Sequence, residues 1–393
     1  MVSFFHFVLD SYASLFSPLM ALARMDAARI GVLAMLYSAS TSFSQLAFGY
    51  FSDRFGLRRF AALGLAAATI ALSVAGLVID APVALGAALV VGGLGVAAFH
   101  PAGVVLAARA LPQRPTVGVS VFITTGTAGF ALAPLVYVLF VEHFGLESSG
   151  WLVLPGLLAL PFVYFLPRSA LESRPPPGPA RRRVLTFLSE HGAALLPIYL
   201  LVVVRSGVQI SLTSFVPTVM IQRGHPDVAA GLSAMCFSGG GALGMLVWGF
   251  LAGRYDRRWL QIASVVLGTP ISLLFLYADS IPLALSLALL TLTGFFVLAT
   301  NTMHIVMGQE LSPRNASTIS SIVMGMGWGV GSAGPAVVGA LSRSWSLETS
   351  LAAVCLVPLL TLPLALFLRA RPATESDPGT AAEAASAAEA AQS

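Results

Sequence analysis

The sequence predicts an all-α polytopic membrane protein, with twelve transmembrane helices in two six-helix halves. Three observations carry that prediction. Of 393 residues, 57% are hydrophobic and 10% charged, with a mean hydropathy of +0.86. A soluble chain of this length carries about 25% charged residues. The apolar residues come in runs of about 20, the length that crosses a hydrocarbon core. The second half of the chain also echoes the first. Lipid offers no partner to a bare backbone amide, so only helices and closed barrels span it, and the alternating segments of barrel strands are not visible here.

Span 1 covers residues 3–23 and carries His6 and Asp10. No basic stretch precedes it, Arg24 being the first arginine, so a retained helix is expected rather than a cleaved signal peptide. Span 2 (30–51) runs into "GYFSDRFGLRR", residues 49–59, a connection too polar to cross a bilayer, and span 3 (60–79) follows it. Span 4 (83–108) places His100 directly before Pro101. Span 5 (115–140) is rich in glycine, with Gly126 and Gly129 before Pro134, and span 6 (149–167) closes the first half. The longest interior loop, "RSALESRPPPGPARRR" (168–183), holds a proline run that no helix continues through. The expected domains are a first six-helix half at 1–167, a cytoplasmic connection at 168–192, a second half at 193–371 and a tail at 372–393.

Span 7 (193–220) sets Arg205, Gln209 and Thr213 at i, i+4 and i+8, on one helix face. Spans 8 (228–252) and 9 (259–278) follow, and span 10 (282–308) carries Asn301 and His304. Span 11 (315–341) repeats the glycine-rich pattern up to Gly334 and Pro335, and span 12 (347–369) is the last. Its "GMGWGVG" follows no strand and lies in a span, so it is not a phosphate loop. The Ala/Glu/Ser tail is of low complexity, expected to be disordered or weakly helical. Cys236 and Cys355 lie inside spans and read as inert buried thiols. No metal-ligand spacing is visible, and neither a metal nor a cofactor is expected.

Orientation follows arginine, since the chain has no lysine. With the N-terminus inside, the cytoplasmic segments hold sixteen arginines and the outer segments four, Arg24, Arg29, Arg223 and Arg343. That bias places both termini in the cytoplasm. The expected location is the cell inner membrane, crossed many times, with the lipid bilayer as a partner. Nucleic acid is not expected as a partner, and the chain is expected to be a monomer.

The halves match at an offset of about 200 residues. "GYFSDRFGLRR" at 49 is echoed by "GFLAGRYDRR" at 249, "ARALPQR" at 108 by "QELSPRN" at 309, and "GTAGFALAP" ending at Pro134 by "GWGVGSAGP" ending at Pro335. Two even-numbered halves joined on one side share a topology, an arrangement of transporters with a site between the repeats. The loop resembles the signature loop of the major facilitator superfamily, through Gly49, Asp53, Arg54, Gly56, Arg58 and Arg59; in the second copy Gly253 stands where the acid belongs. The resemblance covers all twelve spans and implies a gating role for that loop, with Asp53 facing the start of span 11 near Arg314. A topology signal without gating is the alternative. "HFVLD", "AAFHPAG", "VFITTGTAGFALAPL" and "GQELSPRNASTISSIVMGMGWGVGSAG" further resemble the fosmidomycin resistance group of proton-driven drug exporters, with Ala133 before Pro134 where exporters often have glycine.

Ionisable residues inside a bilayer are costly and point to function. Here they are His6, Asp10, His100, Arg205 and His304, accompanied by Gln209 and Asn301, all on spans 1, 4, 7 and 10. Arg205 lies twelve residues into its span, or about 18 Å deep. Arginine stays charged, so Arg205 suits an anionic group on a substrate, with Gln209, Thr213 and Asn301 beside it; a standing ion pair with Asp10 is the alternative. Asp10 is the first candidate proton carrier, with His100, His6 and His304 behind it. Burial opposes ionisation of a carboxyl and a nearby cation favours it, so loading follows conformation. For His100, a hydrogen bond to a carbonyl freed near Pro101 competes with a relay role, and His6, near the helix start, has headgroup water as its other environment. Gly126, Gly129, Pro134, Gly334 and Pro335 are expected to let spans 5 and 11 pack closely and bend. The expected function is proton-coupled export of a small anionic or amphiphilic compound, with uptake of a small organic anion by symport or facilitated diffusion as the alternative. The expected partners are then protons and that small-molecule substrate. A sensor or enzyme is disfavoured, since the chain has no soluble domain and no nucleophile–base spacing, and the missing GxxxxGK[ST] loop argues against ATP-driven pumping.

Overall fold

The computed structural model describes residues 1–111, 113–163, 165, 180–311, 319 and 321–368, with side chains at 115, 116, 180–190 and 321 left aside. Among these residues the chain is helical throughout and has no strand. The first half comprises α1 (Val2–Ala13, continued by Phe16–Leu22), α2 (Ala27–Phe55), α3 (Leu57–Val74), α4 (Pro82–Ala110), α5 (Pro115–Phe144) and α6 (Leu146–Val163). The second comprises α7 (Ala180–Gln222), α8 (Val228–Leu251), α9 (Arg257–Tyr277), α10 (Leu283–Leu311), α11 (Ile322–Leu341) and α12 (Leu347–Phe367). Ten of these are long and apolar enough to cross a membrane. The other two are α1, interrupted at Ser14 and Leu15, and α2, which carries the polar stretch Ser38–Gln45.

Local chemistry sets the ends. Asp26 accepts a hydrogen bond from the Arg29 amide at 2.9 Å and starts α2; Ser346 does the same for Thr349 at 3.1 Å before α12. Pro82 and Pro115 open α4 and α5, where a missing N–H costs nothing. Gly56, between α2 and α3, has φ +112°, and no atom lies near where its Cβ would be, so glycine serves the backbone there rather than the packing. α7 begins at Ala180 rather than 193 because nothing after the proline run breaks a helix. The rest of the expected connection, 168–179, the tail from 372 and Arg314 lie outside the described residues.

The repeat is visible in the turns. Arg24 (φ +52°) and Gly224 (φ +77°) occupy equivalent left-handed positions, followed by Asp26 and Asp227 at the starts of α2 and α8. Large apolar side chains face outward, Leu360 with 81%, Phe367 with 73% and Leu246 with 71% of their surface exposed. On a soluble protein such a belt would aggregate, whereas in a bilayer it is the lipid-facing surface.

The halves meet at the arginine-poor end. A Cβ on Gly31 of α2 would lie 2.4 Å from the Pro335 carbonyl oxygen, and one on Gly231 of α8 would lie 2.7 Å from Leu135 Cα. Arg24 donates to Asp227 across the same seam at 2.6 Å. Toward the arginine-rich end, α4 and the Asn301–Leu311 part of α10 pack on elements of their own halves.

Candidate functional site

The polar residues of the spans gather into two clusters, one in each half. In the first half α1 brings His6 and Asp10 one turn apart, and α4 brings His100 against them. Asp10 Oδ2 lies 3.1 Å from His6 Nε2 and Asp10 Oδ1 3.4 Å from His100 Nε2, and the two Nε2 atoms are 3.2 Å apart. Each ring is tied down by its other nitrogen: His6 Nδ1 donates to the Phe122 carbonyl at 2.7 Å, and His100 Nδ1 to the Val96 carbonyl at 2.8 Å. A carbonyl only accepts, so each Nδ1 carries the hydrogen and a neutral ring turns a bare Nε2 lone pair inward. Two lone pairs and a carboxylate therefore converge on one point.

α5 holds this cluster in place. The His6 ring stacks on Phe122 at 3.8 Å and 12°, and a Cβ on Gly126 would lie 2.3 Å from that ring. A Cβ on Gly129 would likewise clash with the Phe7 carbonyl oxygen. These two glycines seat α1 on α5. His6 is thus buried, not bathed in headgroup water. His100 is the most open of the three, its side chain 26% exposed. Tyr37 of α2, the other titratable group beside Asp10, donates its hydroxyl to the Ala13 carbonyl at 3.0 Å.

In the second half Arg205 of α7 donates to Gln209 Oε1 at 2.5 Å and to Asn301 Oδ1 at 3.0 Å. Its guanidinium lies 5.9 Å from the Trp328 ring of α11. The ion pair with Asp10 is not formed: Asp10 faces imidazoles and Arg205 faces neutral amides. Among the described residues Arg205 Nε and Trp328 Nε1 are buried donors without a hydrogen-bond partner. α10 is interrupted at Thr300, next to Asn301, and a π-turn, Ser321–Met326, precedes Trp328. Thr213 lies two turns along α7, half-buried. His304 turns into its own half, fully buried, with Nε2 2.9 Å from Gln261 Oε1 of α9. A Cβ on Gly334 would lie 2.5 Å from the Gly207 carbonyl oxygen, while Pro134 and Pro335 lie on the seam between halves.

The 49–59 loop lies apart from both clusters, at the arginine-rich end. Asp53 is exposed, with Arg109 of its own half as the cation acting on it. Arg54 donates to the Tyr50 hydroxyl at 3.3 Å, Arg58 is half-buried and Arg59 exposed. A Cβ on Gly49 would meet Pro101 at 3.8 Å, an ordinary contact, so no close approach requires that glycine in this arrangement.

Phe122, Trp328 and Gln261 were not singled out by sequence. Gln261 had a signal, an amide inside a span, and Trp328 had one as the sole large ring in a glycine-rich run. Phe122 had none.

A family profile for the Major Facilitator Superfamily matches residues 1–333 and 198–392. The chain is 25% identical over 350 residues to the fosmidomycin resistance protein of Escherichia coli (strain K12), covering 86% of this chain and 84% of that one. Among solved structures it resembles the nucleoside transporter NupG (TM-score 0.74, 17% identity, 93% and 96% of the two chains). It also resembles a D-xylose–proton symporter (TM-score 0.75, 14% identity, 95% and 97%).

Proposed function

The chain belongs to the Major Facilitator Superfamily, a multi-pass membrane transporter of small molecules rather than an enzyme, and on that premise we propose that it exchanges protons for a small anionic or amphiphilic compound and exports it. The observation that carries the proton is the convergence of His6 Nε2, His100 Nε2 and Asp10 within 3.1–3.4 Å, with both Nδ1 hydrogens committed to backbone carbonyls. Three electron-rich atoms repel one another unless a cation lies between them. One proton on either Nε2 makes the cluster neutral, a state that burial in low dielectric tolerates. The proton is then shared by Asp10, His6 and His100, while His304 is held by Gln261 away from it.

Arg205 is the anchor for the substrate's anionic group. Among the described residues its partners are neutral amides, which leaves its charge uncompensated, and its unpaired Nε, with the unpaired Nε1 of Trp328 whose ring lies 5.9 Å from the guanidinium, offers donors to an oxyanion. Gln209 and Asn301 hold the guanidinium, and Thr213 extends the lining. Proton loading in one half and anion binding in the other couple if both are satisfied only on one face of the membrane. Export, with the inner membrane and cytoplasmic termini, is supported by the likeness to a protein named for fosmidomycin resistance and by the arginine bias; the same parts run backwards serve uptake.

The test uses everted vesicles with an imposed pH gradient, following lumenal pH as small phosphonates and organic anions are added. Proton release with wild type and none with Asp10→Asn is expected. Proton release and pH dependence equal to wild type in Asp10→Asn would overturn the reading.

A further inference from the structure

We propose that His6, Asp10 and His100 also form a binding site for one divalent transition-metal ion of the zinc class. The three ligands come from two helices about ninety residues apart and show no motif spacing, so sequence alone does not point to the site. The donor set is two imidazoles and a carboxylate, which suits zinc, cobalt or nickel and not the oxygen-seeking calcium or magnesium. The geometry fits as well. Ligands at about 2.0–2.1 Å from a tetrahedral ion lie about 3.3 Å from one another. The two Nε2 atoms are 3.2 Å apart, and the carboxylate meets them through different oxygens, Oδ2 at 3.1 Å from His6 and Oδ1 at 3.4 Å from His100, with one ligand atom of each residue within 4.8 Å of the others. A shared proton satisfies these atoms two at a time, at distances longer than the roughly 2.7–2.9 Å of a charge-assisted hydrogen bond, whereas a metal satisfies all three together.

The surroundings complete the site. Both distal Nδ1 atoms donate to backbone carbonyls, the outer-shell bond that fixes a metal-bound imidazole in its tautomer and raises its basicity. Stacking on Phe122 over Gly126 fixes the His6 ring before any ion arrives. The cluster is buried except on the His100 side, so entry and the fourth coordination position lie there. The site stands on this geometry alone. Only one consequence rests on the proton reading: the ion takes the place of the proton and holds the carrier out of its cycle.

The experiment uses the full chain, purified in detergent without a histidine tag and stripped with a chelator, titrated with Co²⁺. One ion per chain is expected, with the visible absorption of four-coordinate cobalt, lost on adding Zn²⁺. His100→Gln and Asp10→Asn should each weaken binding by more than about 100-fold, beyond the loss typical of an outer-shell change, while His143→Gln leaves it unchanged. His100 is chosen because it is the least packed ligand, and the melting temperature of each variant reports that it is folded. Absence of one-to-one binding in wild type, or equal affinity in both ligand variants, would overturn the site. Transport in stripped vesicles separates the two proposals. Proton-coupled transport without cobalt binding removes only the metal site, and cobalt binding without proton coupling removes only the expected inhibition.

Discussion

Asp10 and Arg205, the charges at the centres of the two clusters, do not neutralise each other, and each is thereby left with work to do. Asp10 is flanked by two imidazoles that need a cation among them, and Arg205 is flanked by amides that hold it without cancelling it. Replacing Arg205 by lysine keeps the charge and removes the fork: one ammonium cannot hold Gln209 and Asn301 and still present a second donor. The expected outcome is a half-saturating substrate concentration raised about tenfold, the equivalent of one lost hydrogen bond of about 1.4 kcal/mol, read from the concentration dependence of transport. Unchanged kinetics would remove Arg205 from the anion site.

Elements in this chain are joined by glycine where they touch, but the reason differs from one glycine to the next. At Gly126 an added Cβ meets the His6 ring at 2.3 Å, a fixed aromatic that cannot step aside. Gly126→Ala should therefore cost about 1–3 kcal/mol by overpacking, seen as a lower melting temperature, and should lower proton-coupled transport by shifting His6. At Gly49 a Cβ meets Pro101 at 3.8 Å, and Gly49→Ala should melt like wild type. If that variant folds normally and still loses transport, the glycine serves another state of the cycle, one in which α2 and α4 lie closer. A large loss of melting temperature in Gly49→Ala would contradict the packing seen here.

At the scale of the whole molecule, the two halves are latched at one end. The Arg24–Asp227 pair bridges the seam, and Arg24 holds a left-handed backbone that glycine holds in the second repeat. For an arginine that conformation costs about 1 kcal/mol, which the bridge offsets. Both side chains are partly exposed, 56% and 39%, so the pair is worth at most about 1 kcal/mol, a roughly fivefold shift in a two-state population. Arg24→Ala should raise hydrogen exchange of residues 27–34 up to about fivefold by opening that end more often. Asp53→Asn, at the other end, should abolish transport with normal membrane insertion and leave that exchange unchanged. Full activity in Asp53→Asn would reduce the 49–59 loop to a topology signal.

The all-helical membrane class, the echo between the halves and the chemistry available were legible in the sequence. Twenty-residue apolar runs leave no alternative to helices in lipid, and a charge inside such a run is too costly to be incidental. His6, Asp10, His100, Arg205 and Asn301 were therefore legible one at a time. Which of them meet was decided by tertiary structure alone. Residues 6 and 100 come together because α1 and α4 pack side by side, and their spacing along the chain carries no trace of it. The seat for His6 depends on Phe122 and on the missing side chain of Gly126, one ordinary residue and one absent group. His304 was expected behind His100 among the proton carriers, but in the structure it lies against Gln261 of α9. A helix has one sequence and several faces, and only the neighbours it packs against settle which face looks into the site.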